Sequence, residues 1–85
     1  MSRFRIVIEP GVKRSVETTL NHELRKSFYK DMAKLSCDPY KFPSSSALGP
    51  NNLRHAMVAG GMVEIVYLVN HRDIEIRVVR FQRSP

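Results

Sequence analysis

An α+β domain of order β-α-α-β-β-β, two N-terminal helices packed on a mainly antiparallel four-stranded sheet, follows from three patterns in the chain. Residues 4–9 alternate at period two, the mark of a strand. Residues 12–36 then carry apolar side chains at helical spacing, in two stripes divided at Asn21. From Leu53 onward the chain is strand-like throughout, with turn residues at 60–61 and 70–73. Consecutive hairpins make the last three strands antiparallel neighbours, and the amphipathic helices must bury their stripes against them.

Each element has its own local cause. Phe4, Ile6 and Ile8 share one face of the first strand, against Arg5, Val7 and Glu9 on the other. Pro10 and Gly11 end that strand, and Pro10 suits the first turn of a helix, where its missing N–H costs little. Val12, Val16 and Leu20 recur every four residues as one stripe, although Val16, Thr18 and Thr19 are weak helix formers that packing must hold. Asn21 is a good N-cap and Glu23 favours the helix dipole, which starts a second helix over about residues 22–36. Its core stripe is Leu24, Phe28, Met32 and Leu35, while Lys26, Lys30 and Lys34 form a solvated face. Asp38-Pro39 stops this helix. A Ser-, Pro-, Gly- and Asn-rich loop then runs to about Asn52, in which Tyr40 and Phe42 pack the loop down.

Residues 53–59 read as a strand, joined through a two-residue Gly60-Gly61 hairpin to residues 62–69. That second run is almost wholly apolar, as in a central strand covered on both faces, with Tyr67 in or at the edge of the core. Asn70 to Asp73 turn the chain into a last strand, residues 74–81. There Ile74, Ile76 and Val78 alternate against Glu75, Arg77, Val79 and Phe81.

Length and composition bound the function. Residues 1–85 form a single domain, and so small a core gains stability from a bound partner. Fourteen Lys and Arg against eight Asp and Glu leave a net charge of +6, which attracts polyanions. Cys37 is the only cysteine, so an intrachain disulfide and a multi-cysteine zinc site are excluded, and it reads as a small residue near a helix end. A lone thiol fits a reducing cytosol. Arg3 and Arg5 interrupt the first apolar stretch, and no run approaches the ~20 apolar residues of a membrane span, so a cytoplasmic protein without a membrane partner is expected.

Five segments in order resemble the RelE/ParE superfamily, the toxins of type II toxin–antitoxin systems. "FRIVIEP" (4–10) resembles the opening strand and proline-started helix, and "KLSCDPYKFP" (34–43) the run that closes the long helix. "ALGPNNLRH" (47–55) resembles the loop that leads to an arginine on the second strand. "VEIVYLV" (63–69) resembles the central strand, and "IEIRVVRFQR" (74–83) the last strand with its late basic residues. The resemblance covers essentially the whole chain. It implies a cognate antitoxin, acidic and encoded next door, wrapped over the helices and sheet. It also implies one of two activities. RelE-like members cut messenger RNA on the ribosome, blocking translation and arresting growth. ParE-like members inhibit DNA gyrase without being nucleases.

Metal-independent RNA cleavage needs a base for the 2′-hydroxyl, cations for the phosphate and an acid for the leaving oxygen. The matching region supplies Arg54, His55, Arg77 and Arg83 as the catalytic set, with Lys41, Arg72 and Arg80 as further RNA phosphate contacts. No cofactor or metal is expected, since His22, His55 and His71 are scattered. His22 reads as a surface residue, His71 as part of a turn, and His55 as the better proton-transfer group. Two departures weigh against catalysis. Glu64 stands where the RelE-like strand has an arginine, and a carboxylate there repels phosphate unless it serves as a base. The C-terminal tyrosine of many RelE-like enzymes has no counterpart in Arg83-Ser84-Pro85. Strict alternation also sends Arg77 and Arg80 to opposite faces, unless a bulge intervenes. Arg77 resembles an arginine of ParE-like toxins, so a gyrase inhibitor remains the alternative, beside a decayed toxin that only binds antitoxin.

Overall fold

The computed structural model describes residues 3–83. Strand β1 (Arg5–Ile8) leads into helices α1 (Pro10–Thr19) and α2 (His22–Cys37). Strands β2 (Ser46–Ala47), β3 (Leu53–Val58), β4 (Val63–Asn70) and β5 (Glu75–Arg83) follow. The sheet runs in the order β1-β5-β4-β3-β2. Only β1–β5 is parallel, and the long connection that a parallel pair requires runs through both helices and then β2, β3 and β4. The sheet therefore has five strands rather than the expected four. The addition is the two-residue β2 at the edge of β3, too short to carry an alternation signal.

The helices start as their sequences require. Pro10 opens α1 and Asn21 caps α2, its Oδ1 accepting from the Leu24 N–H at 2.9 Å. Val12, Val16, Leu20, Phe28, Met32 and Leu35 are buried as expected, against Ile65, Tyr67, Ile76 and Val78 of the sheet. The end of α2 is tied to the start of β1 by Ser36, whose Oγ donates to the Phe4 carbonyl at 2.7 Å. Tyr67 is fully buried, and its hydroxyl donates to the Pro39 carbonyl at 2.7 Å and meets Ser45 Oγ at 2.5 Å. It thus pins the loop after α2 beneath the sheet's edge.

Four sequence expectations change. Strand β4 is covered on one face only: Val63, Ile65, Tyr67 and Val69 are buried, whereas Glu64, Val66, Leu68 and Asn70 are half-buried. Both helices pack on the same side, which leaves the other face open. The β3–β4 hairpin turns through four residues rather than two, with Ala59, Gly60 and Gly61 at φ of 53°, 67° and 83°. Ala59 tolerates the left-handed region because Asp31 Oδ2 holds its N–H at 2.8 Å. Ile74 does not begin the last strand on the core side; it is exposed in the preceding turn at φ 49°.

The fourth change moves the site. Tyr67 pairs with Val78 but Val66 pairs with Arg80, so Val79 is an extra residue, a β-bulge in β5. Beyond it the alternation reverses. Phe81 falls opposite Ile65 on the helix side, where its ring lies edge-on to Phe28 at 6.4 Å. Arg80 then turns to the open face and shares it with Arg77, contrary to strict alternation.

Candidate active site on the open sheet face

The register assigns side chains to the open face. One row across four strands is Ser46, His55, Val66 and Arg80. The adjacent rows hold Met57, Glu64 and Gln82 on one side, and Leu53, Leu68, Arg77 and Val7 on the other. His55 and Arg80 are two strands apart, roughly 10 Å at the backbone, with Val66 between them.

His55 is hydrogen-bonded at one ring nitrogen and faces a carboxylate with the other. Its Nε2 lies 2.5 Å from Ser46 Oγ, and its Nδ1 faces Glu64 Oε2 at 3.5 Å. That Nδ1 is buried and makes no hydrogen bond. The imidazole is 30% exposed and the Glu64 side chain 40%, so a ligand on the open face reaches both. The hairpin register puts Glu64 diagonally beside His55, which converts the residue that argued against catalysis into its neighbour.

The arginines differ in what they are free to do. Arg77 lies 3.2 Å from Glu75 Oε2 and 3.8 Å from Glu9 Oε2, so its charge is largely matched. Glu75, only 10% exposed, also accepts from the Arg5 guanidinium at 2.6 Å. That hydrogen bond, with the nearby charge of Arg77, holds the Glu75 carboxyl below its ordinary 4.5. Arg80 is exposed and has no carboxylate within ion-pair distance among the described residues. It is the cation of this face that is open to an external anion. A shallow depression of about 420 Å³ between Glu9–Val12 and Val79–Phe81 is also bordered by Arg80.

The expected catalytic set does not assemble in one place. Arg54 lies on the helix side, where its Nε donates to Ser45 Oγ at 2.8 Å and its guanidinium sits 4.9 Å from the Tyr40 ring centre. Arg83 also lies on the helix side and donates to the Thr19 carbonyl at 3.2 Å. Their partners on β4, Tyr67 and Val63, put the two roughly 13 Å apart in the strand direction and on opposite sides of β4. The cause for Arg54 is parity: Arg54 and His55 are consecutive, and a strand sends neighbours to opposite faces. Lys41 and Arg72 are exposed beside Tyr40 and His71, whose rings stack and whose Oη and Nε2 meet at 2.6 Å. They form a second basic region with Arg54, at the loop end of the sheet. Ser84 and Pro85, the segment compared with the tyrosine-bearing end of RelE-like enzymes, lie outside the described residues.

Sequence reasoning missed Ser46 and the role of Glu64. Glu64 was readable, because pairing about Gly60-Gly61 gives the same register as the observed Val58–Val63 pair. Ser46 was not, since nothing in a Ser-rich loop marks which serine joins a strand edge.

No protein-family model matches this sequence, and no curated protein sequence is significantly similar to it. Solved structures are. An archaeal RelE–RelB complex from Pyrococcus horikoshii OT3 contains a chain 18% identical with TM-score 0.74, covering 94% of this chain and 93% of that one. The isolated E. coli RelE toxin is 11% identical with TM-score 0.78, over 96% of this chain and 85% of that one. The toxin–antitoxin complex RelBE2 of Mycobacterium tuberculosis gives 14% and 0.78, over 99% and 94%. The chain therefore has the RelE fold along essentially its whole length, as its five segments implied.

Proposed function

We propose that this chain is the toxin of a type II toxin–antitoxin pair, a metal-independent endoribonuclease of RelE type that cuts messenger RNA on the ribosome. The observation that carries the reading is His55 on the open sheet face of a RelE fold, with Arg80 unpaired in the same row. His55 takes the 2′-hydroxyl proton, Arg80 binds the phosphate, and Arg77 adds positive potential from behind its two carboxylates. Arg54, Lys41 and Arg72 serve as contacts for flanking RNA or ribosomal RNA, and Arg83 as a phosphate contact at the strand's end. A cognate acidic antitoxin neutralises the toxin, in keeping with the RelE–RelB and RelBE2 complexes among its structural neighbours. A small positively charged domain suits such a partner.

The test is direct. Purified chain added to a cell-free translation reaction is expected to stop synthesis and leave cuts in ribosome-bound message, mapped by primer extension. Co-expression of the protein encoded next door is expected to restore growth. Intact message with unimpaired translation would count against the nuclease, and cleaved plasmid trapped in a supercoiling assay would transfer the case to gyrase. Plasmid supercoiling is expected to be normal.

A further inference from the structure

His55 carries information about its own protonation. Its buried Nδ1 has no hydrogen-bond partner, and the nearest acceptor it faces is Glu64 Oε2 at 3.5 Å. A neutral imidazole has one N–H and one lone pair. If the lone pair were on Nδ1, it would face a carboxylate and be repelled; if the N–H is there, the carboxylate attracts it and is close enough to accept it after a small shift. Glu64 therefore selects the Nδ1–H form. Nε2 is then bare and must accept, and the group 2.5 Å from it is the hydroxyl of Ser46. A bare imidazole nitrogen pointed at a hydroxyl, with a carboxylate behind the ring, is the connectivity by which a histidine is made a base.

Ser46 itself sits in the two-residue β2, held to β3 at Ser46–His55 and Ala47–Arg54 and exposed to solvent. A hydroxyl fixed by so short an edge strand is readily displaced, and what it vacates is a hydroxyl site. We propose that Glu64 is the positioning residue that holds His55 as a general base, and that Ser46 Oγ occupies the place of the substrate's attacking 2′-hydroxyl. The identity of that hydroxyl rests on the ribonuclease reading; the Glu64–His55 assignment does not. In the reaction, Nε2 takes the 2′-hydroxyl proton as the 2′-oxygen forms its bond to phosphorus. The bond from phosphorus to the 5′-oxygen breaks, the leaving oxygen takes a proton from solvent water, and the hydroxide so formed recovers the proton held on Nε2. The products are a 2′,3′-cyclic phosphate and a 5′-hydroxyl. Glu64 forms no bond to RNA and stabilises the imidazolium that develops.

The closing experiment uses the full chain labelled with nitrogen-15, three variants and two readouts. Long-range nitrogen–proton correlations of neutral His55 are expected to show the proton on Nδ1. Glu64→Leu is expected to move it to Nε2, and Glu64→Gln, which keeps an acceptor, to leave it on Nδ1. A wild-type proton on Nε2, or one unmoved in Glu64→Leu, overturns the positioning role. In the message-cleavage assay Glu64→Leu is expected to lose at least about tenfold, with most of that recovered in Glu64→Gln. Ser46→Ala is expected to raise cleavage and to speed carbethoxylation of His55 by diethyl pyrocarbonate about two- to tenfold, the effect of removing one competing hydrogen bond. Cleavage unchanged or lost in Ser46→Ala, or Ser46 labelled by a fluorophosphonate, overturns the stand-in role and makes the serine a nucleophile or a structural residue. A wild-type chain that leaves message intact while its His55 proton sits on Nδ1 sinks the ribonuclease reading and the 2′-hydroxyl assignment with it, and preserves the Glu64-held base.

Discussion

Ile74 holds a backbone angle of φ 49°, a region that is costly for any residue with a Cβ and most so for a β-branched one. Its side chain is 45% exposed, so little packing compensates. Ile74→Gly is expected to gain about 0.5–1 kcal/mol net of the added unfolded-state entropy, visible as a melting temperature higher by roughly 2–6 °C. The open-face residues predict a contrast in activity. His55→Ala is expected to lower message cleavage about 10²-fold or more without lowering the melting temperature appreciably. Arg80→Ala is expected to lose more cleavage than Arg77→Ala, since Arg77 is already matched by Glu75 and Glu9 and Arg80 is not. Equal losses would show that the carboxylates leave Arg77 available to substrate. His55 was legible as the proton-transfer candidate because an imidazole on a basic strand stands out. Its separation from Arg54 was harder to read. Leu53, His55 and Met57 alternate with Arg54, Ala56 and Val58, so each face carries apolar residues and neither declares itself the core side.

At the level of elements, the stripes of both helices and the Gly60-Gly61 hairpin were readable, because each rests on a periodicity or a backbone angle that few residues satisfy. The irregular elements were not. The bulge at Val79 contains no glycine and sits in the run Arg77-Val78-Val79-Arg80, where either parity keeps one valine inside. The loop after α2 gains its order from tertiary contacts: Tyr67 at Pro39 and Ser45, and Ser44 Oγ with both the N–H and the carbonyl of Met57 at 2.8 Å. Tyr67→Phe removes the hydroxyl and leaves a buried carbonyl and Ser45 with one partner fewer. The expected cost is about 1–2 kcal/mol, together with faster amide exchange across residues 39–47. Exchange unchanged in that segment would mean that Ser44 and Arg54 anchor it without help from Tyr67.

For the whole molecule, pH acts through the Arg5–Glu75–Arg77 group that joins β1 to β5. The Glu75 carboxyl, lowered from 4.5 by the Arg5 hydrogen bond first and by Arg77, releases its proton more readily folded than unfolded. Its contribution is thus complete above about pH 4.5 and is lost as the pH falls through the folded value below it. Melting temperatures taken from pH 7 to pH 3 are expected to fall at the acid end, and to fall less steeply in Glu75→Gln, which starts lower. An equally steep fall in the variant would place acid sensitivity elsewhere. A last consequence belongs to the extra residue in β5. A strand writes its two faces in a code with a frame of two, and Val79 shifts that frame once, near the middle of the longest strand. Deleting Val79 would remove the bulge and leave Arg80 opposite Val66 and Phe81 opposite Ile65. Keeping Val79 and pairing it with Val66 would instead carry Arg80 inward toward Phe28 and Phe81 out to water.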